Sequence, residues 1–214
     1  MAVWAIVVAA GTGSRFGGPK QYETLGDRRV LDWSLAAARS VADGVVLAVL
    51  PDRAGDPEPG ADRVVAGGAS RSESVRAALA EVPPDADVVV VHDGARPLAS
   101  PALFGAVVAA VREGADAAVP GLPLADTVKR VRHGVVLTTL DRAELVAVQT
   151  PQAFTAESLR RAHARGAMAA TDDAALVEAV GGRVVVVAGE ADNAKLTTAA
   201  DLLTARRAVA RAAP

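Results

Sequence analysis

Residues 11–21 read GTGSRFGGPKQ and set Arg15 and Lys20 among glycines, at the end of the apolar run AVWAIVVAA (2–10). A strand that runs into glycines leaves backbone N–H groups free to meet phosphate oxygens. The spacing excludes the two common nucleotide loops. A dinucleotide loop needs G-x-G-x-x-G, but Phe16 stands in the third glycine's place. The acidic residue expected about 20 positions later is missing too, since Asp52 lies too far on. A Walker A loop needs G-K-[ST] after its second glycine. Gly13 to Gly18 has that gap, but Pro19 separates Gly18 from Lys20, and Gln21 replaces the hydroxyl residue. Two readings remain. One is a loop that holds a triphosphate under attack, with Arg15 and Lys20 as fixed cations for the charge that builds on the phosphates. The other is a tight strand–helix turn with two solvated basic residues.

A second polar cluster closes the run DVVVVHDGARP (87–97). Asp93 follows His92 at the end of a strand that reads as buried, where the ligand sites of open α/β sheets collect. A structural pair between Asp93 and Arg96 is the competing reading. Thr171, Asp172 and Asp173 read at least as well as a helix N-cap with dipole-matched acids, and are not taken as a site. His92, His133 and His163 share no metal-ligand spacing, so no chemistry is assigned to them. Lys195 and Arg142, taken alone, are surface cations.

The elements that must position these groups alternate between strand and helix. Apolar runs at 2–10, 44–51, 87–93, 115–121 and 182–189 read as buried strands. Residues 30–41 have helical apolar spacing, and 70–82 open with a capping box of Ser70 and Glu73. Ser100–Pro101 starts another helix. Further helices follow at about 155–165, after Thr171, and at the C-terminus, where Thr198 and Asp201 can cap. The Pro/Gly-rich stretch 52–63 is a surface loop. Residues 122–150 break the rhythm with alternating β-branched segments around His133–Gly134, as a projecting hairpin would. The expectation is an α/β fold: one domain over 1–214 with a Rossmann-like, doubly wound, mostly parallel sheet, and an inserted β-arm at 122–150. Such an arm cannot bury its Val and Leu residues alone, which predicts a homodimer.

Composition bounds the function. The chain has 214 residues, 51% hydrophobic but 3% aromatic, so its core is mostly Ala, Val and Leu, as suits a covered parallel sheet. A formal charge of −2 gives no footprint for nucleic acid, while leaving room for a local basic pocket. With no cysteine, disulfides, thiolate nucleophiles and Cys-bound metals are excluded, and a cytoplasmic location fits. The N-terminal apolar run lacks a basic leader and is too short to span a membrane, so no membrane association is expected.

The segment AAGTGSRFGGPKQY resembles the signature of the sugar-phosphate nucleotidyltransferases, above all the branch that cytidylylates methylerythritol phosphate. GGASRSESV (67–75), VHDGARP (91–97), ADTVK (125–129), LDR (140–142), QTPQAF (149–154), TDDA (171–174) and NAKLTTAADL (193–202) follow in the family's order, so the resemblance spans nearly the whole chain. It implies transfer of a cytidylyl group from CTP to 2-C-methyl-D-erythritol 4-phosphate with Mg²⁺, pyrophosphate leaving, in non-mevalonate isoprenoid synthesis. It also implies an arm that exchanges with a second subunit. By position, Arg15 and Lys20 stabilise the pentacoordinate phosphorus, and Ala9, Ala10 and Gly11 contact the nucleotide. Gly67, Gly68 and Ser74 face cytosine and ribose, and Asp93 engages metal and ribose. Thr127 and Arg142 hold the acceptor phosphate, and Lys195 contacts both substrates. Ala69 stands where the family often has Asp, and Gly94 where it has Ala. A cytidylyltransferase for another polyol phosphate, such as ribitol 5-phosphate, is the nearest alternative; a non-catalytic nucleotide-binding module is a more distant one. The second catalytic domain of bifunctional relatives is expected to be absent.

Overall fold

The computed structural model describes residues 1–165 and 172–212. The strands are β1 (Val3–Val8), β2 (Thr24–Leu25), β3 (Arg28–Arg29), β4 (Gly44–Val49), β5 (Arg63–Ala66), β6 (Val88–Asp93), β7 (Ala117–Pro123), β8 (Lys129–Arg132), β9 (Val135–Thr139), β10 (Val146–Val148), β11 (Gln152–Thr155) and β12 (Val184–Ala188). The helices are α1 (Val30–Arg39), α2 (Arg71–Ala80), α3 (Pro101–Arg112), α4 (Ala156–Ala164), α5 (Asp173–Ala179) and α6 (Ala199–Ala212).

One mixed sheet carries the order β10-β7-β11-β6-β1-β4-β5, with β12 on the other side of β7. β6, β1, β4 and β5 pair in parallel, as do β7 and β12; β10 and β11 run against their neighbours. Alternate residues of the same strand feed two cores, as the pleat dictates. Val3, Ala5 and Val7 face Leu31, Leu35, Phe104 and Val107 of α1 and α3. Ile6 faces the other way, toward Val75, Leu79, Leu159 and Val177 of α2, α4 and α5. The sheet is therefore covered on both faces, and its mostly parallel, doubly wound form agrees with the sequence pattern. No helix among the described residues is long and apolar enough to cross a membrane.

Three local features differ from the expectations. β5 lies at the end of the stretch read as loop, and exists because it pairs with β4. β11 is an antiparallel strand wedged between β6 and β7, in a segment whose Gln and Pro hide it. Leu122 and Pro123 belong to β7 and Val146–Val148 to β10, so the free hairpin is only the middle of 122–150. Within it, His133 (φ 48°) and Gly134 (φ 79°) make the tight turn between β8 and β9. Thr171, the first residue of the TDD cluster, lies outside the described residues; Asp172 does cap α5, its carboxylate accepting from the Ala175 N–H at 3.1 Å.

Candidate active site

The glycine loop follows β1. Its centre is Gly13, whose carbonyl accepts from the N–H groups of Phe16, Gly17 and Gly18 at 2.8, 2.9 and 3.3 Å. Gly13 has φ of +70°, and a Cβ there would lie 1.8 Å from the Gly18 oxygen, so only glycine fits. Buried Gln21 staples the loop's base: its Nε2 donates to Ala9 O at 2.8 Å and Gly11 O at 3.2 Å. Phe16 anchors the far side against a small core that includes Leu196 and Leu202. Among the described residues, the backbone N–H groups of 11–15 donate no hydrogen bond. The loop is thus held by its carbonyls and offers its donors.

The loop 67–70, which leads into α2, abuts the glycine loop. A Cβ on Gly67 would fall 2.2 Å from Ala10 Cβ, so the two loops touch where neither can grow. Buried Ser74 accepts from the Gly68 N–H at 3.1 Å and donates to Ser70 O at 2.9 Å, fixing the turn that enters α2. The capping box forms as its spacing predicts, with Ser70 Oγ accepting from the Glu73 N–H at 3.1 Å.

Asp93 is the node of the site. Its carboxylate accepts from Arg71 Nε at 3.0 Å and Lys195 Nζ at 2.8 Å, while Arg96 Nε is farther, at 3.9 Å. Arg71 also reaches Asp173 at 2.6 Å, and His163 Nε2 meets the other oxygen of Asp173 at 3.0 Å. Burial opposes ionisation of Asp93, yet the charges of Arg71 and Lys195 hold its pKa well below the usual carboxylate range. Asp173 is likewise buried and likewise held low, by His163 and Arg71. Behind the node, His92 is completely buried, and burial pushes its pKa down to about 4. Arg96 O, 3.1 Å from His92 Nε2, can only accept, so Nε2 carries the proton and Nδ1 takes the Thr150 hydroxyl at 3.2 Å. The competing Asp93–Arg96 pair is thus a longer contact than those to Arg71 and Lys195.

These groups border two adjoining clefts at the carboxyl ends of β1, β4 and β6. The larger, about 450 Å³, gathers Ala9, Ala10, Gly11, Lys20, Gly68, Ser74, Asp93 and Lys195. The smaller, about 240 Å³, shares Arg71, Asp93 and Lys195 and continues to Gln149 and Thr150. Burial, and then the charges of Lys195 and Arg15, lower the pKa of Lys20, and the charge of Asp93 offsets only part of this. Gly67 backs the larger cleft without lining it; Arg15 is exposed and does not line it either, though its charge reaches Lys20. Thr127 and Arg142 are exposed on the arm, where Arg142 donates to Ala125 O; neither lines the clefts.

Sequence reasoning missed Arg71, Gln21 and Asp173. Arg71 had a signal: a cation in a helix's first turn opposes the helix dipole, and so calls for nearby acids. Among the described residues, no three His, Asp or Glu side chains cluster as a metal site. Asp93 offers a single carboxylate, which fits a hard cation that takes most of its oxygens from substrate phosphates and water.

A glycine loop with free N–H groups and converging cations, at the carboxyl ends of a mostly parallel sheet, defines a nucleotide-handling α/β enzyme. The sequence matches the family model described as "IspD: 2-C-methyl-D-erythritol 4-phosphate cytidylyltransferase" over residues 3–211. The chain belongs to that family of cytidylyltransferases. It is 46% identical over 215 residues to a 2-C-methyl-D-erythritol 4-phosphate cytidylyltransferase of Rhodococcus jostii (strain RHA1), covering 97% of this chain and 95% of the relative. It is 47% identical to a bifunctional enzyme IspD/IspF of Clavibacter michiganensis, covering 96% of this chain but spanning 54% of that longer protein. The crystal structure of 2-C-methyl-D-erythritol 4-phosphate cytidylyltransferase from Thermus thermophilus superposes with a TM-score of 0.83 at 38% identity, covering 99% of this chain and 100% of that one.

Proposed function

We propose that the larger cleft binds CTP and that the phosphate of 2-C-methyl-D-erythritol 4-phosphate attacks its α-phosphorus. A new P–O bond forms to the acceptor oxygen, the bridging bond to the β-phosphate breaks, and pyrophosphate leaves. The acceptor is already an anion, so removing a proton contributes little, and the barrier lies in bringing two anions together. Lys20 and Arg15, which make no ion pair among the described residues, meet that demand, stabilising charge on the phosphorus as it becomes pentacoordinate. The free N–H groups from Gly11 onward take phosphate oxygens, and Ala9 and Ala10, on the wall of the cleft, contact the nucleotide. Gly67, Gly68 and Ser74 form the wall for cytosine and ribose. Lys195, held at the boundary of both clefts, serves both substrates.

Asp93 is the protein ligand we assign to Mg²⁺, which when bound neutralises charge on the triphosphate. The exposed arm carries Val135, Val136 and Leu137 outward. We assign this hairpin to contact with a second copy of the chain, whose Thr127 and Arg142 would then hold the acceptor phosphate. The reaction belongs to non-mevalonate isoprenoid synthesis, and the cytoplasm is its expected location.

The observation that carries this reading is Lys20 in the cleft beside Lys195, with its pKa lowered by burial and by like charge. Pyrophosphate release from CTP, measured with methylerythritol phosphate and with ribitol 5-phosphate, tests it. Release is expected with the first acceptor, and only when a divalent cation is present. Preference for ribitol 5-phosphate would reassign the acceptor, and CTP binding without release under either would reduce the chain to a nucleotide-binding module.

A further inference from the structure

Lys195 lies between β12 and α6, in a segment without regular structure, and its side chain has four rotatable bonds. Something must fix its backbone for Nζ to stand 2.8 Å from Asp93. Gln149, buried just after β10, spends its whole amide on this segment. Its Nε2 donates to Glu190 O at 2.8 Å and Asn193 O at 3.2 Å, and its Oε1 accepts from Glu190 N at 3.0 Å and Asn193 Nδ2 at 3.3 Å. Asn193, fully buried, donates from the same Nδ2 to Thr150 O at 2.9 Å. Arg96 Nη1 donates to Asn193 O at 2.7 Å. On the other flank, the Leu196 N–H donates to Ala95 O at 2.8 Å. The fit is close: a Cβ on neighbouring Gly189 would meet Gln149 Oε1 at 2.8 Å.

Two buried amides are a poor choice for cohesion alone, because each must be paired to offset its desolvation, and Asn193 Oδ1 is buried with no partner among the described residues. An apolar pair would fill the space at less cost. What the amides provide and an apolar pair would not is registration: they read backbone atoms on both strands of the contact. We infer that Gln149 and Asn193 form a clasp that positions Lys195, locking its segment to the β10–β11 junction and to the loop after β6. They are positioning residues, acting on the reaction only through Lys195. The inference rests on Lys195 serving the substrates as proposed above.

A double-mutant cycle separates the two ideas. Lys195→Ala alone tests the role of the lysine: a fall in kcat/KM for CTP supports it, and unchanged kinetics overturn it whatever the clasp does. Asn193→Asp and Gln149→Glu keep the shape and remove the donors. Each is expected to lower kcat/KM about tenfold to a hundredfold, the scale of an ångström-sized misplacement. In the Lys195→Ala background, the same changes should lower it less than about threefold. An equal loss in both backgrounds would make the amides merely structural and overturn the inference, as would wild-type kinetics in a folded variant. Amide hydrogen exchange on the unmutated protein covers the case in which the variants do not fold. The N–H groups of Glu190 and Leu196 should exchange far more slowly than those of residues 11–15, and equally fast exchange would contradict the clasp.

Discussion

Lys195 and Arg71 reach the cleft already paired with Asp93, at 2.8 and 3.0 Å, whereas Arg15 and Lys20 make no ion pair among the described residues. The first region hangs on a buried strand end and on carboxylates from distant parts of the chain. The second hangs on a glycine loop held through its carbonyls. In the first, the protein has supplied the counter-charge, so geometry is set before any ligand arrives. In the second, Asp93 offsets only part of the repulsion that Lys195 and Arg15 exert on Lys20, and the rest is left for an anion to relieve. The contrast separates two tasks: a preorganised node that fixes positions, and a loop whose cations make no ion pair among the described residues and respond to the charge of the triphosphate.

The largest effect should come from breaking the node. Arg71→Ala leaves Asp93 and Asp173 buried without their shared cation, and should destabilise folding by about 3–5 kcal/mol, read by urea unfolding. The same substitution at exposed Arg15 should leave stability within about 0.5 kcal/mol, and equal losses at the two sites would erase the distinction drawn above. Acid sharpens the contrast next. The pKa of His92 is lowered to about 4 in the fold, so between roughly pH 6.5 and 4 the unfolded chain binds a proton that the folded chain does not. Stability is then full above pH 6.5 and falls with pH, by about 3 kcal/mol at pH 4. Below that, Asp93 adds to the decline, since a carboxylate held low by its partners loses their support as it is protonated. A flat stability profile from pH 7 to 4 would contradict the buried, neutral His92. The smallest effect on folding belongs to the arm: Leu137→Asp should change protomer stability by less than about 0.5 kcal/mol. If the hairpin joins two copies, that variant should sediment as a monomer where the unmodified chain sediments as a dimer.

Much of this was legible in the residues, and the limits have physical causes. The glycine loop, the capping box of Ser70 and Glu73, and the buried runs of β1 and β6 are local patterns, and local patterns show. β5 does not, because a short edge strand after Pro and Gly exists only through its pairing with β4. β11 is concealed because it opens on Gln152, polar in sequence but buried in the fold, where its amide donates to Asp172. The resemblance placed Asp93 and Lys195 in one site, yet Arg71 escaped notice because its partners lie 22 and 102 residues away. Gln21 could be seen to break the Walker pattern, but only the folded loop shows that it holds Ala9 and Gly11.

The central claim is that the loop cations Arg15 and Lys20 act on the transition state rather than merely retain nucleotide. Turnover of Lys20→Ala, measured as pyrophosphate release at saturating CTP and methylerythritol phosphate, tests it most directly. The account predicts a fall in kcat of at least about a hundredfold in a protein that still folds, the scale of losing one transition-state donor. A kcat near that of the unmodified protein, with only a raised KM for CTP, would contradict it.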